Sequence, residues 1–158
     1  MEDKLICCPE FNPSLWDDKL IEWNKKPFVK TSVKTLFYMP IGFGKAMTKL
    51  QDKIEKSNSR LLDNMILSYS KSKWSMDVFL AVDKEVINAD NVAFDGKYYF
   101  KVYEGSFNQT GKWMEDFNKV LVEKGYKSKK VYMWYTTCPK CAKKYGKNYV
   151  VAVAKLIQ

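Results

Sequence analysis

From Val29 the chain alternates. Val29, Thr31, Val33, Thr35 and Phe37 fall on every second position of VKTSVKTLFYM, residues 29–39. β-Branched and aromatic residues at that period predict a strand. Pro40-Ile41-Gly42 breaks it, and the period lengthens. Phe43, Met47, Leu50 and Ile54 recur at helical spacing, which predicts an amphipathic helix of about four turns, ended by Ser57-Asn58-Ser59. NMILSYS (64–70) and MDVFLAVD (76–83) then predict two strands joined by a lysine-serine turn.

The same order recurs. After a polar loop through Asn88, Asp90 and Asn91, KYYFKVYE (97–104) predicts a strand and Gly105 a break. A helix is predicted from about Asn108 to Lys124, with Trp113, Phe117, Val120 and Leu121 on one face and Gly125 as its stop. KVYMWYT (130–136) and NYVVAVAKL (148–156) predict two more strands. The chain thus spells strand–helix–strand–strand twice. The junctions match as well: YMPIGFGKAM (38–47) and YEGSFNQTGKWM (103–114) each run from a Tyr through a glycine turn to Gly-Lys-x-Met. The expected fold class is α+β, two repeats about a pseudo-two-fold axis, with an antiparallel sheet carrying its helices on one side. A cleft at such an axis is a common ligand site. Residues 1–28 are expected to form an N-terminal extension packed on the domain, 29–158. Within the extension, Asn12-Pro13-Ser14 can start a short helix, and KLIEWNKKPF can equally run extended because Pro27 disfavours helix before it.

Composition narrows the chemistry. Histidine is absent from all 158 residues. That removes Ser-His-Asp and Cys-His nucleophilic catalysis, HExxH zinc hydrolysis and the two-histidine iron site. Carboxylates, tyrosines, lysines and thiols remain. The net charge of +9 is nearly all lysine, because Arg60 is the only arginine. Sequence-specific nucleic-acid recognition relies on arginine forks, so it is not expected. The lysines make a solvated surface, with loose attraction to nucleic acid or anionic lipid left open. No apolar run approaches the roughly 20 residues of a membrane span, and the head lacks a signal-peptide core. The expected setting is the cytoplasm, with reduced thiols and no membrane partner.

Aromatic residues make up 15% of the chain, and such rings either fill a core, which accounts for most of them, or line an apolar cavity. Ring candidates for a small-molecule site are Tyr38, Trp74, Phe79, Tyr98, Trp113, Tyr132 and Trp134. Rings of this kind stack on flat guests and hold cations at their faces. Glu104 is the candidate catalytic group. It ends the row Tyr98, Phe100, Val102, Glu104 on one face of its strand. A carboxylate at the end of an apolar row is expected at a cleft margin, where desolvation makes it a usable general base. It also suits a counter-charge to a cationic guest, or a turn glutamate bonding the start of the second helix. Asp77 is a weaker second carboxylate.

Four cysteines remain: Cys7, Cys8, Cys138 and Cys141. TTCPKC has the look of a redox motif, but a thiol–disulfide catalyst needs a βαβ unit after it, and only one strand follows. Reduced thiols, or a structural zinc held by the four cysteines, both stay open. No cofactor is expected in catalysis.

The two repeats, together with EGSFN…W at 104–113, resemble the GyrI-like small-molecule-binding family. Gly105-Ser106-Phe107 stands where that family commonly has a Gly-Pro-Tyr-like turn. The head CCPEFNPSLWDD and the tail YTTCPKCAKKYGKNYVV resemble an uncharacterised branch, some of whose members are labelled hydrolases. The resemblance implies an α+β saddle that takes an aromatic or cationic, often cytotoxic, molecule. It also implies a multidrug-type binder, or an enzyme that hydrolyses an electrophilic, cyclopropane-type toxin. With no DNA-binding region in view, a stand-alone protein is expected. A drug-sequestering protein and a gyrase-modulating interaction module are the alternatives. Oligomeric state stays open.

Overall fold

The computed structural model describes residues 11–37, 39–136 and 148–157, with Phe107 described by its backbone alone. Seven strands and two α-helices account for most of them: β1 (Lys19–Leu36), β2 (Met39–Pro40), α1 (Phe43–Lys56), β3 (Leu61–Ser72), β4 (Ser75–Val82), β5 (Asp90–Glu104), α2 (Thr110–Lys124), β6 (Ser128–Tyr135) and β7 (Tyr149–Leu156). Pro13–Leu15 and Phe107–Gln109 form single 3-10 turns. The class is α+β. The chain divides into two compact units, Trp23–Asp95 and Met1–Glu22 with Gly96–Gln158.

In the unit Trp23–Asp95, β4 lies between β1 and β3, antiparallel to both. Alternation along β4 sends Met76, Val78, Leu80 and Val82 to one face. There they bury with Val29, Val33 and the α1 residues Met47, Leu50 and Ile54. The helix forms because its apolar positions fall on one stripe, as the spacing predicts. The opposite face carries Phe28, Phe79 and Ala81 in register with one another's strands. Phe94 stacks on Phe28 at 4.3 Å and meets Phe79 edge-on at 5.2 Å. The junction after α1 is fixed by Asp83, whose carboxylate accepts from the Ser59 hydroxyl, the Arg60 amide and the Arg60 guanidinium. The chain's single arginine therefore has a structural partner.

In the other unit, β7 lies between β5 and β6, again antiparallel to both. Tyr99, Ala152 and Ala154 bury with Phe117 and Leu121 of α2 on the helix side. Gly125 ends α2 in the left-handed conformation, φ 73°, with its N–H on the Leu121 and Val122 carbonyls.

Three strands start well before the pattern predicts; β5 begins at Asp90, so Asp90 and Asn91 belong to the strand and not to the expected polar loop. β1 begins at Lys19, and Lys25 adopts φ 53° with its N–H on the Asp95 carboxylate at 2.6 Å. Ile21 and Trp23 alternate only briefly before the polar, bent stretch that leads to Pro27, so the sequence pattern marks this part of the strand weakly. β3 begins at Leu61, but Asp63 and Asn64 both have positive φ and the ladder slips between Leu61 and Ile66. That irregularity interrupts the period of two. Among the described residues, no helix is long and apolar enough to cross a membrane.

Candidate functional site

The clearest chemistry in the unit that holds α2 lies on the sheet face away from that helix. Tyr99 packs against α2, so its neighbours Tyr98 and Phe100 point the other way. Glu104 shares their face by the same period. The register sets Phe100 beside Val153, Val102 beside Val151 and Glu104 beside Tyr149. On β6, Tyr132 and Trp134 pair with Val153 and Val151, completing the same surface.

The N-terminal segment lies on this surface. Trp16 meets Phe100 at 5.3 Å and Trp134 edge-on at 5.0 Å. Phe11 meets Trp134 at 5.5 Å and Tyr149 at 5.6 Å. The rings form a continuous train, Phe100–Trp16–Trp134–Phe11–Tyr149, and Glu104 stands across from its last member. Trp134 and Phe100 are buried, Phe11, Trp16 and Tyr149 half-buried, and Glu104 exposed, so the desolvation expected of its carboxylate is not found. Glu104 is thus the exposed group at the Tyr149 end of the train.

Two aspartates fasten the segment. Asp17 accepts the Val102 amide at 3.0 Å. Asp18 accepts the Tyr99 hydroxyl at 2.5 Å and pairs with Lys124 at 3.1 Å. Those bonds, that from Tyr99 first, hold the Asp18 carboxyl below the usual carboxylate range. Burial, then the Asp18 bond, pushes the Tyr99 hydroxyl well above its ordinary value. Tyr103 is shifted the same way by burial and by its bond to Asp116 at 2.7 Å. Both hydroxyls stay protonated and engaged on the helix side.

The turn beneath Glu104 is tied by two hydrogen bonds. Gly105 donates to the Asn148 carbonyl at 3.0 Å, and the Asn148 side-chain amide donates back to the Gly105 carbonyl at 2.8 Å. Gly105 has φ 143°, a conformation that side-chain-bearing residues rarely adopt. A Cβ there would stand 3.4 Å from the Trp113 ring and 3.5 Å from the Gln109 amide oxygen.

The sequence candidates therefore separate. Tyr98, Tyr132 and Trp134 share the ring face with Glu104. Trp113 lies on α2, buried and stacked on Tyr103 at 5.8 Å, on the helix side. In the unit Trp23–Asp95, Phe79 is buried on the helix-free face, whereas Trp74 is 53% exposed in the β3–β4 turn. Tyr38, Cys7, Cys8, Cys138 and Cys141 lie outside the described residues. Among the described residues, no group of three or more Cys, Asp or Glu could hold a metal ion.

Phe11, Trp16 and Tyr149 escaped the sequence reading as ring partners. Their signal was weak, because long-range contacts of a segment with no alternation leave no period. Asp77 also gains weight. It is only 6% exposed and sits on the helix-free face beside Ser32 and Tyr69. Its carboxylate accepts the Ser32 hydroxyl at 3.0 Å, with Lys30 at 3.7 Å and Lys71 at 3.8 Å. This charge is buried and compensated.

A family model described as bacterial hydrolase matches residues 1–156. The chain belongs to the bacterial hydrolase family. No curated protein matches it. Among solved structures, the C-terminal domain of EcmrR is similar in fold, with TM-score 0.67 at 10% identity over 91% of this chain and 99% of that one. A hydrolase from Listeria innocua is similar with TM-score 0.63 at 14% identity, covering 99% and 96%. An uncharacterised conserved protein from Listeria innocua gives 0.64 at 13%, covering 89% and 92%. At such identities the likeness carries the fold alone.

Proposed function

We propose that this bacterial hydrolase family member is GyrI-like, built from two copies of one strand–helix–strand–strand unit. In this reading it binds a flat aromatic or cationic molecule and hydrolyses an electrophile of the strained, cyclopropane-bearing class. The observation that carries the proposal is the train of rings ending at an exposed carboxylate, Glu104. In this reading a guest stacks against the half-buried rings of Phe11 and Tyr149. Its reactive carbon then lies near Glu104.

The chemistry needs neither histidine nor metal. Glu104 takes a proton from water as the water oxygen bonds to the electrophilic carbon. The strained carbon–carbon bond breaks, and its electron pair passes to the conjugated carbonyl that activates it. The proton then returns to the opened product. Ring stacking holds the guest in line with the water, which lowers the entropic part of the barrier.

The second reading is sequestration without turnover. An exposed carboxylate beside electron-rich rings also holds a cation, each ring face contributing about 0.5–2 kcal/mol. Incubation with cyclopropane-bearing aromatics, followed by product analysis, separates the two. Ring-opened product from the native chain and none from Glu104→Gln supports hydrolysis. Saturable stabilisation without product supports sequestration.

A further inference from the structure

Two hairpin tips in the unit Trp23–Asp95 carry apolar residues where turns ordinarily carry polar ones. In the β1–β2 hairpin, Leu36 pairs with Met39 across the tip, and Phe37 is at its turn. In the β3–β4 hairpin, Ser72 pairs with Ser75, and Trp74 is at its turn. Leu36, Phe37, Met39, Ile41 and Trp74 are each more than half exposed. Phe37 and Trp74 meet at 5.1 Å. The tips are tied together: the Thr35 amide donates to the Trp74 carbonyl at 2.9 Å, and the Thr35 hydroxyl donates to the Lys73 carbonyl at 2.7 Å. Phe37 also adopts φ 49°, an unfavourable conformation for a bulky residue. Beyond its contact with Trp74, a strained aromatic that is mostly exposed buries little apolar surface in the folded state.

Lysine prevails along the strands that carry the tips: Lys34 and Lys73 stand beside them, and Lys71 pairs with Asp77 at 3.8 Å. No acidic residue occurs between Glu22 and Asp52, or between Asp63 and Asp77.

We propose that these joined tips dock on the surface of a bilayer bearing anionic headgroups. Trp74 and Phe37 enter at headgroup depth with Leu36, Met39 and Ile41, and the flanking lysines meet the phosphates. A tip fits a bilayer because lipids close around it and no complementary groove is needed. Surface docking also needs no membrane-spanning segment, so it revises the expectation that the protein has no membrane partner.

The test is co-sedimentation of the full chain with phosphatidylcholine vesicles, with and without 30% phosphatidylglycerol as the probe composition. Binding is expected to the anionic vesicles and to weaken with salt. Phe37→Ser/Trp74→Ser is expected to weaken it by about tenfold or more, and Lys34→Gln/Lys73→Gln by about fivefold per lysine. Circular dichroism of each variant confirms its fold, and the lysine pair keeps the test open where the tip variant does not fold. Three results would overturn the proposal: no association with anionic vesicles, association that both variants retain in full, or a self-associated chain that Trp74→Ser alone makes monomeric.

Discussion

The Tyr99 hydroxyl donates to the Asp18 carboxylate at 2.5 Å, joining β5 to the segment that covers its ring face. Tyr99 lies on the helix side, where it stacks on Phe117 at 5.9 Å. The bond therefore ties the ring-covering segment to the core under α2. Tyr99→Phe keeps the packing and removes the bond. It is expected to lower the Tm by a few degrees. It should also raise the exposure of Trp16, read by acrylamide quenching of tryptophan emission. An unchanged Tm with unchanged quenching would show the bond to be idle.

The same bond makes stability depend on acid. Asp18 and Asp83 are both held below their ordinary values, Asp18 chiefly by Tyr99 and Asp83 chiefly by the Arg60 amide. A carboxylate shifted down binds fewer protons folded than unfolded. Its contribution is complete above the unfolded value, about 3.9, and is lost as pH falls through the folded value. Thermal melts from pH 6 down to pH 3 are expected to steepen below about pH 4, and Asp18→Asn to flatten that limb. The raised tyrosines act at the other end. Stability from Tyr99 and Tyr103 is complete below about pH 10 and lost as pH rises towards their folded values. An acid limb identical in Asp18→Asn would contradict the assignment.

Gly105 sets the backbone beneath Glu104. Gly105→Ala forces a Cβ into φ 143° and is expected to cost about 1–3 kcal/mol in urea denaturation. The contact distances of 3.4 and 3.5 Å are tolerable, so the cost is mainly conformational. An unchanged midpoint would mean that the turn relaxes freely.

Much of this arrangement was legible in the chain. The spacing of Met47, Leu50 and Ile54, and that of Trp113, Phe117 and Leu121, marks the buried stripes of both helices. The period of two along 97–104 separates Tyr99 from Tyr98 and Phe100, and the structure keeps that division. The first part of β1 was not legible. Lys25 and Pro27 disrupt the alternation there, and a bond to Asp95, seventy residues away, holds the strand in place. The packing of Phe11 and Trp16 on Trp134 escaped for a related reason. It depends on contacts across more than a hundred residues, which leave no periodic trace.

Asp77 tests how a buried charge is balanced. Asp77→Ala leaves the Ser32 hydroxyl without its acceptor and Lys30 and Lys71 without their counter-ion. Both lysines reach water, so the expected loss is moderate, about 1–2 kcal/mol. Asp77→Asn retains an acceptor for Ser32 and should lose less. Equal losses in the two variants would show that charge, and not the hydrogen bond, dominates.

The central claim is that Glu104, at the Tyr149 end of the ring train, activates water against a stacked electrophile. The most direct measurement is the rate of ring opening of a cyclopropane-bearing aromatic by the native chain and by Glu104→Gln, with the Tm shift that the compound induces measured for both. The account predicts turnover by the native chain, a loss of about a hundredfold or more in the variant, and a Tm shift that persists. Turnover that survives in Glu104→Gln at the native rate would contradict it.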